Sequence, residues 1–165
     1  MKKFLKPGRI VILLSGKYAG KKAVILKINY EGSKDKHFGH CLVAGISRYP
    51  RKVHKRQSEK VIARRTAIKP FVKYVNFNHF MPTRYLLSEQ LDIKGLIKTF
   101  EAQSSLKKEN EGAEKTTDPL ANEDFKKEYK KKVRSLLEDK FKSIDLNNNS
   151  EENFELRFLY KPLRF

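Results

Sequence analysis

A chain of 165 residues with 37 Lys+Arg against 19 Asp+Glu carries a net +18 at neutral pH, which points to a polyanionic partner. Hydrophobic residues make up 39% and charged residues 34%, so the independently folded part is expected to be smaller than the chain. The single cysteine, Cys41, excludes an internal disulfide and a multi-cysteine zinc site, and no run approaches the roughly 20 apolar residues of a membrane span.

The first residues, MKKFLKPGRIVILL, place cations before an apolar run as a signal peptide would. The run Ile10 to Leu14 is too short for that, Pro7 and Gly8 precede it, and no small-residue cleavage site follows, so the chain reads as soluble and intracellular. Ile10 to Leu14 and Ala23 to Ile28 instead predict two strands around a loop rich in glycine and lysine. Gly16 and Gly20 suit backbone angles that other residues resist. They frame Lys17, Tyr18, Lys21 and Lys22, a set of ammonium groups with one flat ring, suited to phosphate and to base stacking. A Walker loop is excluded: three residues, not four, separate the glycines, and a lysine rather than Ser or Thr follows Lys21.

Tyr30 to Gly39 reads as a polar turn region and His40 to Ile46 as a third strand, with Cys41 a small buried hydrophobe. Ser47 to Val53 is basic, and Pro50 confines it to an edge or a turn. Lys55 to Arg65 is dense in cations, and the region up to Lys69 is expected to order on binding. Pro70 to Phe77 predicts a strand with both faces in use, and Asn78 to Tyr85 closes the half with a bend at Pro82. Several short strands between turn signals indicate a mainly-β fold, a small barrel over residues 1–86.

Residues 87–165 read as a near-neutral extension. Ile93, Leu96, Ile97 and Phe100 predict a short helix, and 101–117 a flexible polar insertion. Asp118 and Pro119 mark the start of a longer helix over about 119–143, whose stripe Phe125, Tyr129, Val133, Leu136, Leu137 and Phe141 reads as packing. Phe154, Leu156, Phe158 and Tyr160 alternate, which predicts an extended stretch at the C-terminus. Residues 1–85 hold 21 Lys+Arg and 3 Asp+Glu, so the whole net charge of +18 sits there; residues 86–165 hold 16 of each. Solubility alone gives no reason for such segregation.

The chemistry of enzymes is missing from this pattern. His37, His40, His54 and His79 match no familiar metal spacing, Glu31, Asp35 and Glu59 are not paired, and Cys41 has no activating neighbour. No cofactor is implied. What stands out is cations interleaved with aromatics: Arg48, Tyr49, Arg51 and Lys52 around a proline, and Arg84 beside Tyr85. Arg9, Lys55, Arg56, Arg64, Arg65 and Lys69 complete the candidate RNA contacts of the basic half. A cationic helix for acidic membranes is a rival reading, weakened by the acids among Lys126, Lys127 and Lys130 to Lys132.

The segment Pro7 to Lys27 resembles the KOW motif, a hairpin unit of SH3-like barrels in ribosomal and transcription proteins. KFLKPGRIV, SGKYAGKKAVI, CLVAGISRYPRKV, VKYVNFNHFMPTRY and the ending PLRF together resemble the family of eukaryotic large-subunit ribosomal proteins numbered twenty-seven. The resemblance implies an SH3-like barrel, ribosomal RNA as ligand, neighbouring ribosomal proteins as partners and a structural, non-enzymatic role in cytoplasmic ribosomes assembled in the nucleolus. By the same resemblance the loop from Gly16 to Lys22 is an RNA contact. A KOW-type transcription or RNA-processing factor would share the motif, though not the other segments. The polar stretches 101–117 and 147–153 depart from the family pattern.

Overall fold

The computed structural model describes residues 4–33, 36–87, 91–110, 119–143 and 154–163. Five strands form one antiparallel sheet: β1 (Arg9–Leu13), β2 (Lys22–Asn29), β3 (His40–Arg48), β4 (Lys69–Asn76) and β5 (Phe80–Leu86), in the spatial order β4-β3-β2-β1-β5. Central strands β2 and β3 are buried over runs of five and seven residues, so both of their faces need cover.

Each face has its own core. On one side Val11, Leu13, Ala23, Ile25, Cys41, Val43, Phe71, Val75 and Phe80 form a cluster. Edge strands β4 and β5 both contribute to it, so the sheet is curled and barrel-like around this inner core. Register shifts between Ile25 and Lys27, and between Ile46 and Arg48, supply bulges of the kind that bend strands. Cys41 is fully buried here, and burial pushes its thiol up to about 12. It is a packing residue, as the apolar run around it predicts.

The alternate side chains Ile10, Val24, Leu26, Leu42, Ala44, Ile46 and Val72 face the other way and join a second cluster with the C-terminal helices. Those helices are α2 (Ile93–Asn110), α3 (Glu123–Ser143) and α4 (Phe154–Tyr160); α1 (Glu59–Thr66) lies between β3 and β4 and buries no residue. In α2, Ile93, Leu96 and Phe100 are buried at the predicted helical spacing. The α3 stripe also packs as predicted, with Phe125, Tyr129, Val133 and Leu137 buried. The Tyr129 hydroxyl donates to the Leu96 carbonyl at 2.9 Å, and the Tyr160 hydroxyl to the Leu137 carbonyl at 2.8 Å. Glu138 of α3 accepts from the Ile68 amide at 3.2 Å, and Lys27 of β2 pairs with Glu101 of α2 at 2.7 Å. Two tyrosine phenols thus hold helix to helix, while two glutamates tie the helices to the sheet.

Several expected elements come out differently. Residues 154–160 are helical, not extended: Leu156, Leu159 and Tyr160 are buried at helical spacing, and seven residues were too few for alternation to decide. Helix α2 runs on to Asn110, well into the segment read as a flexible insertion, whose residues 111–117 lie outside the described residues. Asn122 caps α3, its Oδ1 accepting from the amides of Asp124 and Phe125, and Pro119 sits in a preceding 3-10 turn. Asp118 lies outside the described residues. Pro82 lies within β5, beside a register shift against β1 of the kind that bends a strand, and an edge strand tolerates its missing N–H. The Lys55–Lys69 segment contains α1.

Candidate nucleic-acid interface

The β1–β2 loop takes its shape from its glycines. Gly16 and Gly20 have φ of +83° and +72°, and the Gly20 amide donates to the Leu13 carbonyl at 2.7 Å. The loop folds over the mouth of the inner core, where the Tyr18 ring stacks on Phe71 at 4.0 Å and 5°. Gly45 on β3 makes room for this: a Cβ there would meet the Phe71 ring at 2.5 Å. Lys17 is exposed at the loop tip, while Lys21 is half-buried with its ammonium 5.4 Å from the centre of the Tyr49 ring.

Lys22 corrects the sequence reading. It is 2% exposed, and its ammonium donates to the carbonyls of Phe158 at 2.6 Å and Lys161 at 2.9 Å. It also lies 3.6 Å from the centre of the Phe158 ring. These carbonyls close the C-terminal end of α4, where a cation is favoured by the helix dipole. Burial, with the Lys161 charge second, lowers Lys22 from 10.5 to about 8. Lys22 therefore clamps α4 to the sheet and is covered from solvent, so it makes no RNA contact in this fold.

Other candidates divide in the same way. Arg9 is half-buried, its guanidinium donating to the Thr83 carbonyl at 2.8 Å and lying 4.1 Å from the Phe4 ring centre, which makes it a link between β1 and β5. Tyr49 packs on the outer core, and its hydroxyl accepts from the Lys22 amide at 3.3 Å; burial raises its pKa. Tyr85 packs at 4.6 Å and 5.6 Å from the rings of Phe158 and Phe154, with Arg84 5.2 Å above it. The Arg84–Tyr85 pairing helps seat α4.

The remaining cations are grouped. Arg51, Lys52, Lys55, Arg56, Arg64 and Lys69 are all exposed, and Arg48 and Arg65 are half-buried. The Arg51 amide donates to the Arg65 carbonyl at 2.9 Å, and Arg65 Nε to the Lys52 carbonyl at 2.8 Å. These bonds fasten the segment after β3 to α1 and gather its charges on one surface. Glu31 and Glu59 are the acids among the described residues of the basic half. Among the described residues, no group of three or more His, Cys, Asp or Glu could hold a metal ion, and no helix is long and apolar enough to cross a membrane.

Sequence reasoning missed Lys73 and the lysines of α3. Lys73 is exposed on β4, with its ammonium 3.7 Å from where a Gly16 Cβ would stand. The pKa of Lys130 is lowered by burial first, then by the charges of Lys126 and Lys17, so α3 brings cations up to the β1–β2 loop. Counting charge by halves hid this, because the acids of α3, among them Glu123, which raises the pKa of Lys130, offset its lysines in the total.

Residues 10–165 match the model of the Ribosomal L27e protein family. The chain is 42% identical to the large ribosomal subunit protein eL27 of Tetrahymena thermophila over 165 residues, all of both chains. It is 43% identical to eL27 of Pisum sativum over 143 residues, covering 87% of this chain and 91% of that one. Against eL27B of Saccharomyces cerevisiae identity rises to 59% over 87 residues, 53% of this chain and 64% of that one. With the β-sheet domain, the helical extension and the gathered cations in place, the chain belongs to the Ribosomal L27e protein family.

Proposed function

We infer that the protein is a structural constituent of the large ribosomal subunit, without catalytic activity, that binds and stabilises folded ribosomal RNA. The observation that carries this reading is the acid-poor surface around α1, where exposed cations are held by backbone hydrogen bonds in a member of a ribosomal family. A rigid array of this kind neutralises phosphates that would otherwise repel one another where RNA strands pack. Arginines supply forked donors for phosphate oxygens, and lysines supply point charges. The contacting set comprises Lys17, Lys21, Arg48, Arg51, Lys52, Lys55, Arg56, Arg64, Arg65, Lys69 and Arg84. Lys22, Arg9, Tyr49, Gly16 and Gly20 shape the surface that presents them. Neighbouring ribosomal proteins complete the environment, in cytoplasmic ribosomes assembled through the nucleolus.

The test is sedimentation of tagged protein from lysate, with subunits separated by Mg²⁺ chelation and washed in moderately high salt. Stoichiometric, salt-resistant migration with the large subunit is expected. Protein that stays at the top of the gradient, or washes off, refutes the reading. For the isolated protein on RNA, six to ten phosphate contacts predict a loss of affinity of roughly a thousandfold or more between 50 and 200 mM salt.

A further inference from the structure

A groove of about 250 Å³ opens beside the β1–β2 loop, on the inner-core side of β4. It lies just below the usual range of ligand pockets, about 300–1,000 Å³, so it suits one ring system and not a helix or a large cofactor. Its lining includes Tyr18, Lys36, Phe38, Lys73, Asn76 and His79, and no acidic residue among the described residues. Phe38 is 44% exposed, although its ring is held edge-on to His40 at 5.8 Å. Tyr18 is fixed from behind by its stack on Phe71.

The wall of the groove is β4, an edge strand, whose alternate backbone N–H and C=O groups point away from the sheet. Asn76 is fixed as well, its Oδ1 accepting from the Asn78 amide at 3.0 Å. The site thus combines fixed aromatic rings, backbone hydrogen-bonding groups and a cationic rim. A duplex offers no single ring to fill such a space, and a phosphate alone would leave the aromatics without a role. An extruded nucleotide matches each part: base to rings, base edge to backbone, phosphates to lysines.

We propose that this groove seats one unstacked nucleotide of the bound RNA, its base against Phe38 and Tyr18 and its flanking phosphates on Lys73 and Lys17. The proposal rests on the RNA-binding reading above and names the RNA feature that the inner side of the barrel selects. A shaped, rigid site of this kind loses little entropy when it fills.

The chain has no tryptophan, so Phe38→Trp places one reporter in the groove of the full-length protein. It is titrated with adenosine 5′-monophosphate, with ribose 5-phosphate, with hexaglutamate, and with an RNA hairpin carrying or lacking one bulged adenosine. Saturable quenching by the nucleotide and not by the sugar phosphate is expected. The bulged hairpin should bind about tenfold more tightly than its bulge-free counterpart, the scale of one base–aromatic stack. Adding Lys73→Glu should abolish that preference, with binding of the bulge-free hairpin falling about threefold or less. Equal affinity for both hairpins without quenching overturns the groove and leaves the RNA reading intact. Binding of neither hairpin overturns both. Quenching by hexaglutamate in place of the nucleotide assigns the groove to an acidic protein segment and overturns the proposal.

Discussion

Two cation-rich regions of the basic half look alike in sequence and have opposite fates. In the β1–β2 loop, Lys22 is buried against the end of α4, Lys21 lies over Tyr49, and Tyr18 is stacked on Phe71. In the segment from Arg51 to Arg56, the cations all point to solvent, and α1 beyond it buries nothing. The difference lies in what stands next to each charge. Lys22 opens β2, whose following residues are buried on both faces, so its stem is drawn inward and its ammonium must find carbonyls. The segment after β3 has no apolar run to pull it in. Counting charge therefore finds the partner class, whereas the neighbouring apolar pattern decides which charges are left to meet that partner.

The most damaging way to break this comparison is to invert the buried charge. Lys22→Glu would set a carboxylate against the carbonyls of Phe158 and Lys161, with desolvation no longer offset. A loss of about 3–5 kcal/mol is expected, the scale for an uncompensated buried charge. Urea unfolding followed by far-UV circular dichroism would measure it. A variant as stable as the wild type would mean that α4 does not rest on Lys22.

Titration sharpens the same point more gently. Because the folded-state pKa of Lys22 is lowered from 10.5 to about 8, the unfolded chain binds more protons between those values. Stability contributed by this group should therefore rise as pH climbs from 8 to 10.5, by at most about 3 kcal/mol. Buried tyrosines with raised pKa values, Tyr129 and Tyr160, oppose the trend at the alkaline end. The readout is thus the difference between the wild type and Lys22→Met. That difference should vary across this window and be flat below pH 7; a difference independent of pH would refute the shift.

How much of this was legible follows from which signals are local. The apolar strand runs of β1 to β4, the α3 stripe and the turn glycines are local, and each lies where the sequence placed it. Helix α4 was misread because seven residues with apolar side chains at 154, 156, 158, 159 and 160 satisfy both periods. Contact between Lys22 and Phe158 spans 136 residues, and nothing in either neighbourhood announces it. The cap of α3 is Asn122, since Pro119 begins a 3-10 turn of its own before that helix. Cation–aromatic neighbours such as Arg84 and Tyr85 suggested a ligand, yet their rings answer to α4. The candidate surface was thus readable as a region, while the assignment of single side chains waited on the packing of the C-terminal helices.

The smallest effect on stability, and the cleanest test of the comparison, comes from the exposed region. Arg51, Lys55 and Arg56 are exposed and lie outside the helices and strands, so changing all three to Gln removes charge without removing packing. Each substitution should shift the unfolding free energy by less than about 0.5 kcal/mol. Binding to RNA should weaken instead, and the slope of log affinity against log salt should fall by roughly one for each lost phosphate contact. Fluorescence anisotropy with a structured RNA fragment over 50–200 mM salt would read both quantities. An unchanged slope would show that these charges face solvent in the complex too, and the interface would then have to be sought on the β1–β2 loop and α3.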